Sequence, residues 1–305
     1  MGPPFGEGQA QGAAARIIPG SAVVDTLVTR PMLGQRTKDG GHMSGMQRSR
    51  IGGWVVCAGL VLSAQQPDQA LFLKKARLAY YSLATERMDT FQATLVPNWR
   101  QVLEEGKVSP EALAPAVEKL KAIQFSLTLD RQGGAKITHT TPATENDQVA
   151  AAFKQIYDGM EQATTGFFQT WTVFMINPPL PEPGTPFRLE TLGAWHILTY
   201  DEGATRIETT LGQDFAVSAM KIITKNFNST INPSFARTPK GLVLVGYQAT
   251  YRSPAAGDAT DLTVAIDNQE VNGLTVPRKM DLRGTYGGTP FHMEVAFTGG
   301  RAAKY

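Results

Sequence analysis

Apolar side chains recur at helical spacing over residues 145–175. Val149, Phe153, Ile156, Met160, Ala163, Phe167, Trp171 and Phe174 lie 4-3-4-3-4-4-3 apart, which predicts one helix of about seven turns with a continuous apolar stripe. Gly166 and the threonines around it weaken the last third of that pattern. Pro178, Pro179, Pro181, Pro183 and Pro186 then end it in a stiff loop. Upstream, Phe72, Ala76, Tyr80 and Leu83 form a 4-4-3 stripe, predicting a helix from an Asp68 cap to about Met88. Ser109-Pro110 reads as a helix N-cap and first turn, with Leu113, Val117 and Leu120 on one face.

Elsewhere the period is two. Residues 89–96 read as extended, and 124–138 read as a hairpin turning at Gly133-Gly134. After Phe187 the alternation takes over: residues 195–200, 206–211, 215–219, 242–252, 262–266 and 280–282 follow one another. Phe291, Met293, Val295 and Phe297 line the last strand, after a Gly287-Gly288 turn. Short Gly, Asn and Asp loops between such strands predict an antiparallel meander with one solvated face. The helices are the available cover for its apolar face, so the expected class is α+β.

The N-terminal residues break with this pattern. Arg48 and Arg50 precede the uncharged apolar stretch Ile51–Ala64. That stretch is short of the roughly 20 apolar residues a membrane span needs. Basic start, apolar run and small residues at Ser63 and Ala64 are the layout of a secretory signal peptide with Met46 as its initiator. Residues 1–45, rich in Gly, Ala and Pro, are then a disordered extension or a misassigned start. The expected organisation is therefore 1–45 extension, 46–64 signal peptide and 65–305 a single secreted domain, placed in the periplasm or outside the cell, with no stable transmembrane anchor. The only cysteine, Cys57, falls within the signal stretch. The sequence ahead of it, Trp54-Val55-Val56, is a poor lipid-attachment site. Once processed, the chain is left without disulfides or thiolate metal ligands.

Composition and charge narrow the function. Thirty Gly and 19 Pro favour turns and strands over an all-helical fold. The formal charge is +2, but the first 64 residues hold six cations against three acids, leaving 23 cations and 24 acids on the body. A near-neutral body without a basic stripe argues against nucleic acid as a partner. The chain carries no phosphate-binding, dinucleotide-binding, zincin, EF-hand or nucleophile-elbow motif. His139, His196 and His292 stand apart, with no second His at metal-ligand spacing, so no metal, cofactor or catalytic residue is assigned. Glu294 shares a strand face with His292, a pair able to orient a general base but with no nucleophile tied to it. Asp258 with Asp261, and Asp267 with Glu270, lie in or beside turns, where acids bond their own backbone; the alternative reading is a calcium site. Asn228-Ser229-Thr230 fits a glycosylation sequon.

The aromatic crowd at the end of the long helix stands above background. Phe167, Phe168, Trp171, Phe174 and Met175 are either ordinary core or the wall of an apolar ligand cavity between sheet and helices. The signal stretch, the N-terminal helix ALFLKKARLAYYSL, the meander and the late hairpin NGLTVPRKMDLRG…FHMEVAFTG together resemble the outer-membrane lipoprotein carrier superfamily, the LolA/LolB-like fold. The resemblance covers about residues 68–300 as architecture. It implies a curved half-barrel sheet with helices on its concave face, in a periplasmic, non-enzymatic protein that holds lipid or lipoprotein acyl chains. No functional residue of that family maps onto a position here, and the long helix exceeds what the plain carrier has. The alternatives are a secreted hydrolase using His292 or His196, and an interaction module for another envelope protein.

Overall fold

The computed structural model describes residues 67–143, 147–225, 228–252, 259–286 and 289–305. The signal stretch, residues 1–45, Asp258 and the Gly287-Gly288 turn lie outside these. The chain begins with α1 (Pro67–Leu78), β1 (Met88–Pro97), α2 (Trp99–Glu105), α3 (Pro110–Lys121), β2 (Phe125–Asp130), β3 (Ala135–His139) and the long α4 (Asp147–Met175). Nine strands follow: β4 (Phe187–Leu192), β5 (Trp195–Glu202), β6 (Thr205–Leu211), β7 (Val217–Ile223), β8 (Asn228–Thr238), β9 (Gly241–Arg252), β10 (Ala259–Val271), β11 (Leu274–Tyr286) and β12 (Thr289–Lys304).

All strands join one open antiparallel sheet in the order β3-β2-β1-β12-β11-β10-β9-β8-β7-β6-β5-β4. Strands β4 to β12 form a meander, and β1 then adds to the free side of β12, carrying β2 and β3 outward. The two sheet edges, β3 and β4, are thus consecutive in the chain and linked through α4 and the Pro-rich loop. At 1.5 Å per residue α4 is about 43 Å long.

One face of the sheet is apolar. Phe91, Ala93 and Leu95 of β1, Phe125, Leu127 and Leu129 of β2, and Met293, Val295 and Phe297 of β12 alternate with more exposed residues. The Asn272-Gly273 pair has positive φ at both residues, 51° and 75°. That conformation makes a two-residue hairpin, so the strand resumes at Leu274. Pro277 sits inside β11, tolerated because the ladder with β10 slips there, between Asp267 and Asn268.

α1 is shorter than its periodicity suggests. It ends at Leu78 because the following backbone is taken by β9: the Leu242 N–H donates to the Ala79 carbonyl at 2.8 Å, and the Tyr81 N–H to the Leu242 carbonyl at 3.1 Å. Gly241 permits this crossing. Its φ is +115°, and a Cβ there would stand 2.7 Å from the Tyr80 carbonyl carbon and the Tyr81 nitrogen.

Candidate functional site

The candidate site is the layer between α4 and the sheet. Phe167, Phe168, Trp171, Phe174 and Met175 are at most 2% exposed. Their spacing puts them on one side of the helix, where Phe168 and Phe174 meet sheet rings edge-on and Phe167 meets Phe297 at a tilt. Phe168 packs against Phe297 of β12 at 5.8 Å and against Trp171 at 5.7 Å, and Phe174 meets Phe235 of β8 at 6.0 Å. The Met175 sulfur accepts the Leu244 N–H at 3.4 Å. Gly166 lies within the unbroken helix, and a Cβ there would face open space.

The C-terminal end of α4 is held by the segment after α1. Helix ends leave carbonyls without intrahelical partners. Here the Leu83 N–H donates to the Met175 carbonyl at 2.8 Å, and the Ala84 N–H to the Ile176 carbonyl at 3.0 Å. Ser82 Oγ donates to the same Ile176 carbonyl at 2.8 Å. Arg77 reaches over the Pro-rich loop to the Leu180 and Pro181 carbonyls and to Glu182. Tyr80 bridges the β6–β7 turn, donating to the Phe215 carbonyl at 2.6 Å and accepting the Val217 N–H at 2.8 Å. Tyr81 accepts the Thr275 N–H at 2.8 Å. These two tyrosines fix the adjacent strand ends relative to α4.

Polar atoms in the layer divide into two groups. Thr170 Oγ1 and the Tyr251 hydroxyl are 2.9 Å apart. Burial pushes the Tyr251 phenol up to about 12, and that of Tyr247 well above its usual value. Thr164 Oγ1 and Trp171 Nε1 on α4, Thr209 Oγ1 on β6 and Ser229 Oγ on β8 are buried without a hydrogen-bond partner. Ser229 stands directly across from Tyr251 in the β8–β9 ladder, next to the Thr170 contact. The sequon therefore carries a buried serine at its centre.

The histidines lie elsewhere. His139 stacks on Tyr157 of α4 at 3.9 Å. His196 packs edge-on to Phe72 at 4.8 Å and contacts Thr191 Oγ1 at 3.2 Å. It borders an open groove of about 320 Å³ shared with Leu71, Lys75, Gln213 and Phe215. His292 is on the sheet face opposite α4. Its Nδ1 is 2.7 Å from Glu105 Oε1 and its Nε2 is 2.9 Å from Asp281 Oδ1.

Glu294, the partner suggested by strand alternation, instead pairs with Lys279 at 3.1 Å. Burial opposes ionisation of Asp281, but the Arg283 hydrogen bonds and the nearby His292 and Arg283 charges outweigh it and hold the carboxyl below its ordinary range. The partners of His292 are carboxylates and the Gln101 amide, not a hydroxyl nucleophile. Asp267 and Glu270 lie in β10, Glu270 two residues ahead of the Asn272-Gly273 turn, and pair with Arg278 and Lys240. Among the described residues no group of three or more His, Cys, Asp or Glu is placed to hold a metal ion, and no helix is long and apolar enough to cross a membrane.

The chain matches no protein-family model, no curated protein and no solved structure.

Proposed function

We propose that the chain binds the acyl chains of a lipid or lipoprotein between α4 and the sheet, as a non-enzymatic carrier acting in the periplasm or outside the cell after removal of residues 46–64. The carrying observation is the set of orphaned polar atoms in this apolar layer. Buried hydroxyls and indole N–H groups are nearly always hydrogen-bonded, because leaving one unpaired costs about 1–3 kcal/mol. Thr164 and Trp171 on α4, and Thr209 and Ser229 on the sheet, each carry such an unpaired atom. A guest with a long apolar body and a few ester or amide oxygens supplies the missing acceptors and keeps the rest of the layer dry.

Topology supports a half-barrel with α4 on its concave side. Strands β3 and β9 are six positions apart in the sheet, about 29 Å if it were flat. Yet a Cβ on Gly133, in the β2–β3 turn, would stand 3.1 Å from Thr172 Cβ, while Thr170 bonds Tyr251 of β9. The β2–β3 turn and β9 thus approach the same turn of α4, which supports a sheet that curls around it. Entry of a guest displaces α4 from the sheet. Its C-terminal end is tied to residues 82–84, so the reading places this movement in the N-terminal half. About ten buried methylenes supply about 8 kcal/mol, the scale of a micromolar dissociation constant.

The test is quenching of tryptophan fluorescence by a fatty acid brominated along its chain. Native protein should be quenched saturably, and Trp171→Phe should bind the same lipid with most of the quenching gone. Absence of saturable quenching, or quenching unchanged in Trp171→Phe, overturns the assignment.

A further inference from the structure

The two edges of the sheet end differently. At β3, α4 packs alongside, with Tyr157 stacked on His139 at 3.9 Å, and the strand itself carries Lys136. Lysines and covering helices are the usual guards that stop a sheet edge from pairing with another chain. β4 has neither guard. It contains no proline and no lysine, and its register with β5 is unbroken from Phe187 to Leu192. Among the described residues no strand lies beyond it. Its only charges are Arg188 and Glu190, one of each sign.

The hairpin sets which backbone groups stay open. Gly193, at φ 60°, and Ala194 make a two-residue connection between the paired Leu192 and Trp195. In such a turn the flanking residues bond each other, so Leu192 directs its N–H and C=O to β5. Direction alternates along an antiparallel strand. Arg188 and Glu190 therefore also bond toward β5, whereas Phe187, Leu189 and Thr191 point their N–H and C=O out of the sheet.

The side chains select the partner. Arg188 and Glu190 share one face, where they pair at 2.9 Å while 76% and 41% exposed. On the other face Phe187 and Leu189 stand opposite the buried Tyr200 and Leu198, yet are only half-buried themselves. A second copy of β4 laid antiparallel about a two-fold axis at Leu189 fits both faces. It sets each Arg188 opposite Glu190 of the other copy and Leu189 opposite itself. Leu192, 59% exposed, then falls opposite Pro186. Moving the axis by one residue sets Arg188 against Arg188 or Glu190 against Glu190, and larger shifts shorten the overlap. Opposite charges facing each other across strands stabilise a sheet, and like charges destabilise it. We propose that β4 is a dimer edge, at which a second copy of this chain pairs antiparallel about Leu189 and continues the twelve-stranded sheet. A contact of one short strand is small for a protein interface, so this dimer dissociates in the micromolar range.

Sedimentation velocity of the full chain, followed across the micromolar range, tests this. Native protein should pass from monomer to dimer as concentration rises. Arg188→Glu replaces two attractive pairs by two repulsive ones and should weaken the dimer at least about tenfold. Arg188→Glu combined with Glu190→Arg restores both pairs and should restore the dimer. Leu189→Pro removes an N–H that points out of the sheet, a position where an edge strand tolerates proline; it should keep the native far-UV circular dichroism and lose the dimer. If that variant does not fold, the charge variants decide alone. A native chain that stays monomeric throughout overturns the proposal. So does a dimer that survives Arg188→Glu, or one that the double exchange does not restore.

Discussion

Substituting Gly241 by alanine strikes the point where the chain after α1 crosses the start of β9. The residue has a φ of +115°, and an added Cβ would lie 2.7 Å from backbone atoms of Tyr80 and Tyr81 and 2.9 Å from the Ala79 oxygen. Backbone cannot move aside as a flexible side chain can. The unfavourable φ alone costs about 1–3 kcal/mol. Pushing the Ala79–Tyr81 segment away also breaks the Leu242–Ala79 and Tyr81–Leu242 hydrogen bonds of 2.8 and 3.1 Å, each worth about 1 kcal/mol. The expected loss is about 3–5 kcal/mol. At roughly 2–4 °C per kcal/mol for a domain of this size, the thermal midpoint should fall by about 6–20 °C. Gly184→Ala is the control. Its φ is +90° but nothing lies within 4 Å of the added Cβ, so it carries backbone strain without collision. Calorimetry or thermal circular dichroism of the two variants separates the terms. A midpoint for Gly241→Ala no lower than that of Gly184→Ala would refute the crossing as a tight backbone contact.

Three further expectations follow from charge and export. Burial raises the phenols of Tyr80, Tyr81, Tyr157, Tyr247 and Tyr251. The unfolded chain therefore loses these protons first, and stability falls as pH rises above about 10; absorbance titration at 295 nm should show a hidden group of tyrosines ionising only with unfolding, and ionisation of all eight in one early step would contradict this. Asp281 is held below its ordinary range, so its contribution is present above about pH 4 and lost as pH falls through the lowered folded value. The midpoint advantage of native protein over Asp281→Asn should be constant above about pH 5 and shrink below pH 4; an advantage unchanged down to pH 2 would contradict it. N-terminal sequencing of exported protein should begin at Ala64 or Gln65, and a chain still starting at Met1 would remove the signal-peptide reading.

The long helix was legible because its stripe is continuous: the apolar spacing predicts 145–175 and the helix occupies Asp147–Met175. The meander was legible for a similar reason, since burial on one face leaves a period of two. Three elements were not. α2 is a seven-residue helix, too short for periodicity to show. β8 carries Asn228, Asn232, Pro233 and Ser234, residues that read as loop, yet it pairs along its length with β9. The end of α1 depends on β9 claiming its next backbone groups, a contact more than 160 residues away.

The aromatic group on α4 was legible as one face, and its burial follows from the absence of another apolar layer. The charged residues of the last two strands were legible only as an alternation; that Arg283 stands opposite His292 and Asp281 opposite Glu294 comes from the strand pairing. What alternation alone suggested, a His292–Glu294 pair, gives way because Lys279 and α2 offer each partner an opposite or complementary charge. The arrival of Glu105 from α2 had no local signal at all.

Native mass spectrometry of the full-length chain, expressed in a bacterium and purified without detergent, addresses acyl-chain binding most directly. The expected spectrum contains a species heavier than the polypeptide by one discrete lipid mass, which disappears on organic extraction and returns when the lipid is added back. Trp171→Leu, which keeps an apolar surface in the layer, should retain part of that species. A spectrum showing only the bare polypeptide, both as purified and after incubation with acylated lipids, would contradict the proposed function and leave the aromatic face of α4 as core alone.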